Sequence, residues 1–203
     1  MLKSLYSKSI LNNSLLICTL CLLLLTGLNS CTDTTTPKPR GYFRIALPEH
    51  QYQNYQTDSP ISLDIPAYSK VELHAKQDPE TYKFNVYLPR YKARIHCTYV
   101  PVNQGLDKLL EDAYQFAYKH EVKALAINKT RVDNPSNRVF GMRYDLIGNV
   151  ASPIQFFATD STNHFFRGSL YFSHIPNADS LQPVIAFVKE DINHMLQSIN
   201  WGE

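Results

Sequence analysis

The sequence is poor in glycine, in tryptophan and, beyond its first thirty-one residues, in cysteine. It has 7 glycines and 1 tryptophan in 203 residues. No G-x-G-x-x-G or G-x-x-x-x-G-K-[ST] run occurs, so no glycine-rich loop is available to cradle a phosphate. A G-x-S-x-G nucleophile elbow is missing too. Charge of one sign is lacking as well. The chain has 20 Lys and Arg against 18 Asp and Glu, and residues 1–30 carry two of the basic residues and no acidic one. Residues 31–203 are therefore formally neutral, with neither the basic face that a nucleic acid needs nor a polybasic segment for anionic lipid. No nucleic-acid partner is expected.

Metal and acid–base chemistry find little support. The 7 histidines include no H-x-x-x-H pair and no companion cysteine pair. His96 and Cys97 are neighbours in an alternating stretch, so they point to opposite faces and cannot ligate together. Glu111-Asp112 and Glu190-Asp191 are paired carboxylates, but adjacent helical residues diverge. Both pairs are expected on solvated helix faces. Asp160, Ser161 and His164 crowd one turn, and a triad needs a shaped, buried arrangement instead. No catalytic residue, metal or cofactor is expected, and no small-molecule substrate.

What the chain does have begins at its amino terminus. Lys3 and Lys8 precede an apolar run from Leu15 to Leu28, broken by Thr19, Thr26 and Gly27. Leu28-Asn29-Ser30-Cys31 follows. A charged start, a short greasy middle and a small residue before a cleavage point make a secretory signal. The cysteine at the junction makes it similar to a lipoprotein signal, in which the thiol of Cys31 is lipidated and the leader cut before it. Asn29 departs from the usual small residue there. An uncleaved anchor would need about 20 apolar residues, more than this run has, and ordinary cleaved secretion is the other alternative. No second apolar run of spanning length occurs. With Cys18 and Cys21 in the leader and Cys31 modified, only Cys97 is left, which excludes an internal disulfide.

Residues 31–40 are polar, with two prolines, and read as a flexible tether. Residues 41–203 are long enough for a single domain with a core. Strands are predicted over 41–47, 61–65, 68–73, 81–88 and 91–100 from alternating apolar positions, with 49–60 a polar loop and Pro89-Arg90 a hairpin turn. Leu106, Leu109, Leu110, Ala113, Phe116 and Ala117 then recur at helical spacing, which predicts a helix over 105–122 capped by Asn103. Strands follow over 127–132, 139–147, 150–158 and 165–172, with Gly148-Asn149 as a two-residue turn. A last helix, capped by Asp179 or Ser180, runs to about Trp201. Strands, helix, strands, helix is an α+β order: an antiparallel sheet with two helices packed on it.

Two stretches stand out. In PKPRGYFRI, Arg40 and Arg44 bracket Tyr42 and Phe43, residue types that interfaces favour; an edge strand with inward aromatics is the plain alternative. In SPIQFFATDSTNHFFRGSLYF, Arg167 lies just beyond a polar hairpin tip. Arg40, Tyr42, Phe43, Arg44 and Arg167 are the candidate partner-binding residues.

The lipidation signal, TPKPRGYFRI, LLEDAYQFAYKH, the Ser152–Phe172 hairpin and LQPVIAFVKEDINHML together resemble the GldD gliding-motility lipoproteins of Bacteroidota. The resemblance implies a lipoprotein needed for gliding, working by protein contact beside the type IX secretion apparatus, with no enzymatic activity. It implies other gliding and secretion proteins as partners and the membrane through the lipid on Cys31. The order of elements is also similar to that of PsbP/Mog1-type domains, a likeness of fold that carries no function. Without an acidic run after Cys31, a periplasm-facing site at the outer membrane is favoured over the inner membrane. The alternative is a periplasmic ligand-binding or chaperone-like lipoprotein.

Overall fold

The computed structural model describes residues 45–74, 81–103, 105–119, 123–173 and 178–202. The leader, the tether, Cys31 and the predicted strand start at 41–44 lie outside these residues. Ten strands and two helices are described. Strands β1 (Tyr52–Gln56), β2 (Ile61–Pro66) and β10 (Asn200–Trp201) form a small antiparallel sheet in the order β1-β2-β10. The large antiparallel sheet has seven strands: β3 (Lys70–Leu73), β4 (Tyr82–Leu88), β5 (Ala93–Pro101), β6 (Ala126–Asn134), β7 (Val139–Ile147), β8 (Ile154–Thr159) and β9 (His164–Phe172). Their order is β3-β4-β5-β9-β8-β7-β6, so the sequence-adjacent run β6 to β9 is a meander that closes on β5. Helix α1 is Leu106–Tyr118 and helix α2 is Ala178–Gln197. The α+β class holds, with both helices packed on antiparallel sheet.

Alternation decides which face is which. In β4, Tyr82, Phe84, Val86 and Leu88 are buried, and in β5 so are Ala93, Ile95, Cys97 and Tyr99. Register carries the same face into β9 through Phe166, Gly168 and Leu170. On this face lie α2 and the small sheet. Ile61, Leu63 and Ile65 from β2 join Val184, Val188, Ile192, Met195 and Ile199 in one core. Side chains of this size stabilise by roughly 1.5–3 kcal/mol each when fully buried. Gly168 is required by this packing: a Cβ there would stand 2.2 Å from Cζ of Phe156, whose ring fills the space. On the opposite face α1 packs Ala117 and Tyr118 against Tyr144, Leu146, Ile127 and Phe157.

Two hairpins turn in the same way. Pro89–Tyr91 and Pro135–Asn137 each form one turn of 3-10 helix, closed by Lys92 and Arg138 in the left-handed region at φ 47° and 53°. Proline fixes the first residue of each turn.

Several expectations are corrected. Residues 52–56, predicted as loop, are β1, paired with β2 in the register Tyr52↔Pro66. Its polar residues suit a strand at the edge of the small sheet. β3 pairs with β4, because the chain turns at Pro66–Ser69 and changes sheet. Gly148-Asn149 is not a two-residue turn: β8 starts only at Ile154, leaving residues 148–153 as the connection. No side chain caps α1; Gly105 takes the N-cap position that Asn103 was expected to fill. α2 ends at Gln197, and Trp201 leaves it to pair with Ile61 in β10.

The largest correction concerns Asp191. It was expected on a solvated face and is fully buried. Its carboxylate accepts from Tyr52 Oη at 3.2 Å, bonds His50 Nδ1 at 2.7 Å and accepts a short hydrogen bond from Tyr68 Oη. The same four-and-three spacing that sets Val184, Val188, Ile192 and Met195 inward carries position 191 with them. Polarity alone misplaced it. The cluster clamps β1 and the turn before β3 onto α2.

Candidate functional site under the first helix

α1 covers its sheet face unevenly. At its carboxy-terminal end the floor is apolar. Nearer its middle, Ala113 and Phe116 stand over a floor of polar side chains, and a cleft of about 380 Å³ remains between them. Two rows of the ladder make this floor. In one, His96 on β5 pairs with Ser169 on β9, which pairs with Gln155 on β8, which pairs with Tyr144 on β7. In the next, Thr98 pairs with Arg167 and Arg167 with Phe157. Side chains at paired positions share a face, so these seven converge beneath the helix.

The floor is short of partners. Thr98, Gln155, Arg167 and Ser169 make no side-chain hydrogen bond with any described residue. Gln155 is only 5 % exposed, and its amide borders the cleft. With no protein partner, that amide is open to whatever fills the cleft. The Arg167 guanidinium lies with Cζ 4.5 Å from the centre of the Phe116 ring, a cation–π contact. Burial lowers its pKa below the ordinary arginine value, and the charge of Asp112 partly opposes this. His96 donates from Nδ1 to Asn85 Oδ1 at 2.7 Å, since that oxygen can only accept. Its Nε2 is thereby left as an acceptor. Partial desolvation by the surrounding protein, then the charges of His74 and Arg94, push its pKa down, with Glu72 opposing.

Arg167 is thus the one predicted site residue that the structure places in a cleft. Arg40, Tyr42, Phe43 and Arg44 lie outside the described residues, as does Cys31. The polar floor around Arg167 was not foreseen. The half-polar faces of β5 and β8 were visible, but the register that lines them up was not.

The hairpin tip is built differently. Asp160 Oδ1 accepts from the backbone N–H of Thr162, Asn163 and His164 at 2.9, 2.8 and 2.8 Å. Burial alone would raise its pKa; these bonds outweigh that and bring it below the usual carboxylate value. His164 bonds Tyr99 Oη through Nδ1 at 2.8 Å and stacks on Trp201 with ring centres 5.3 Å apart. The Asp160 carboxylate is thus taken up by backbone N–H groups and the His164 ring by Tyr99 and Trp201, so the two side chains form no relay. A shallow hollow of about 660 Å³ borders Asp160, His164 and Trp201.

The solution structure of cyanobacterial PsbP (CyanoP) from Synechocystis sp. PCC 6803 is similar, with a TM-score of 0.46, 12% identity, 76% of this chain covered and 95% of that one. No curated protein matches the chain. A family model described as gliding motility lipoprotein GldD matches residues 32–201. That span takes in every described residue up to Trp201, together with the tether that follows Cys31. The chain belongs to the gliding motility lipoprotein GldD family.

Proposed function

We propose that this lipoprotein is a component of the gliding machinery that works beside the type IX secretion apparatus by protein contact and without catalysis. It is held by the lipid on Cys31, at the outer membrane and facing the periplasm. The observation that carries the reading is the family match from residue 32 to residue 201, beginning one residue after the lipidation cysteine. Acyl chains contribute about 0.8 kcal/mol per buried methylene, so two or more anchor a domain stably. Among the described residues no helix is long and apolar enough to cross a membrane. Contact surfaces are available: Leu73, Tyr114, Phe116, Leu125 and Ile147 are exposed large apolar side chains. Arg40, Tyr42, Phe43 and Arg44 add aromatic and guanidinium groups beside the tether.

Deleting the gene is expected to abolish colony spreading and to reduce release of the motility adhesins. Normal spreading with normal adhesin release would overturn the reading. Cys31→Ser is expected to reproduce the deletion, because an unanchored domain leaves the bilayer.

A further inference from the structure

We propose that the cleft beneath α1 binds a carboxylate with an apolar body, its anionic end on Arg167 and its body between Phe116 and Phe157. Three observations lead there. Arg167 is a half-buried cation with no carboxylate within salt-bridge distance among the described residues. Such a charge is expensive to bury unless something pairs with it. Gln155 is nine-tenths buried with an unpartnered amide at the same cleft. Thr98 and Ser169 add two unpartnered hydroxyls on the flanking rungs. Polar groups left unsatisfied under a helix do nothing for the fold, and each lies where a bound group could meet it.

The chemistry of the lining selects the ligand. One guanidinium, the single Lys or Arg side chain in the lining, matches a single negative charge. A phosphate dianion would call for a second cation, and none lines the cleft. Fork-shaped guanidinium geometry suits the two oxygens of a carboxylate. The rings of Phe116 and Phe157 and the methyl of Ala113 provide the apolar walls. A volume of about 380 Å³ lies at the low end of small-ligand sites, which run from about 300 to 1,000 Å³. The carboxylate has two possible sources, a free organic acid or the carboxy-terminal end of a peptide. Binding, not turnover, is inferred.

The test uses the full chain, purified in detergent and labelled with nitrogen-15. Indole-3-acetate is one probe. A tripeptide ending in a free phenylalanine carboxylate is the second. Indole-3-acetamide and the same tripeptide amidated are the uncharged controls. Millimolar acid is expected to move the backbone amides of Thr98, Gln155, Arg167 and Ser169, and the uncharged controls are expected to bind at least about tenfold more weakly. Binding of only one probe identifies the source. Arg167→Gln is expected to erase the preference for acid over amide. Thr98→Val, which keeps the side-chain shape, gives a second readout if the first variant does not fold. Failure of both acids to move these amides, or equal binding of acids and amides, overturns the proposal. It does not depend on the gliding reading, since a spreading defect and a titration of purified protein can fail independently.

Discussion

Two arginines sit on opposite faces of the same sheet and are treated in opposite ways. Arg143, on β7, faces α2. It is buried, donates to both oxygens of Asp145 at 2.8 and 3.0 Å, reaches Thr130 Oγ1 at 3.2 Å and makes a short bond to Asn193 on α2. Arg167, on β9, faces α1 and meets a phenyl ring. The first arginine is fully paired because its face is closed by α2 and the small sheet. The second has room beside it, and its nearest carboxylate influence, Asp112 on α1, acts through its charge without forming an ion pair. On the α2 side Arg143 is tied to four acceptors, although Tyr91 Oη in the same core has no partner; on the α1 side the side chains of Thr98, Gln155, Arg167 and Ser169 open into the cleft. That difference, more than volume, marks the α1 cleft as the place where something else binds.

Replacing each arginine by leucine tests the contrast most severely. Arg143→Leu strips Asp145 of its bidentate partner and leaves Asn193 unpaired. Breaking a buried pair in this way costs about 3–5 kcal/mol, read as a lower urea midpoint. Arg167→Leu should cost about 1–2 kcal/mol at most, the range of a partly desolvated cation–π contact. Equal losses at both positions would break the comparison, because Arg167 would then be as much a structural residue as Arg143. Gly168→Ala probes the closed face next. The added methyl meets the Phe156 ring, which is itself packed on Phe166 with ring centres 5.9 Å apart. Overpacking of this kind costs about 1–3 kcal/mol, and thermal melting should show it.

The closed face also sets the response to alkali. Burial, followed by the charge and hydrogen bond of Asp191, pushes the Tyr52 phenol up to about 12. Burial and its bond to Asp191 raise Tyr68 further in the same direction. An unfolded tyrosine titrates near pH 10. The folded values are higher, so the fold favours the protonated phenols. That stabilisation is whole below about pH 10 and is lost as the pH climbs through about 12. Far-UV circular dichroism and tyrosinate absorbance, followed together, should show the fold failing across this window. If every tyrosine ionised near pH 10 with the fold intact, the Asp191 clamp would not be closed.

Much of this architecture was legible along the chain. The alternating positions of β4 and β5, the helical spacing of α1 and α2 and the proline turns all fell where local rules put them. Arg143 and Asp145 share a strand face two residues apart, so even that pair could be read directly. Other features depend on partners distant in sequence. β1 has too little apolar character to announce itself and is a strand because β2 offers it a ladder. Trp201 follows a long apolar helical pattern, and its pairing with Ile61, its bond to the Arg138 carbonyl and its stacking on His164 hold it in β10 instead. Asp191 reads as surface by its chemistry and as core by its spacing, and the tyrosines that settle the conflict lie more than a hundred residues away. At the candidate site, Arg167 was singled out from its place in an aromatic hairpin. Its companions Thr98 and Gln155 were not, since a register joining β5 to β9 and β9 to β8 is a property of the folded sheet.

The smallest expected effect is also the cleanest comparison, because it makes one chemical change twice. Thr57 and Thr98 can each become valine with little change of shape. Thr57 is buried beside the small sheet; its hydroxyl bonds the carbonyls of Ser59 and Ile61 at 2.8 and 2.7 Å and accepts from the Ser59 N–H at 3.1 Å. Thr57→Val leaves the Ser59 N–H without its partner and takes one of two bonds from each carbonyl, a loss of about 1–3 kcal/mol. Thr98 has no such partners. Thr98→Val should therefore stay within about 0.5 kcal/mol of the parent, since a surface change away from such features does little. Urea titrations of the two variants, run side by side, give the difference directly. A loss at Thr98 as large as that at Thr57 would mean that the α1 floor is held by its own polar groups, and the cleft would become one more satisfied interior.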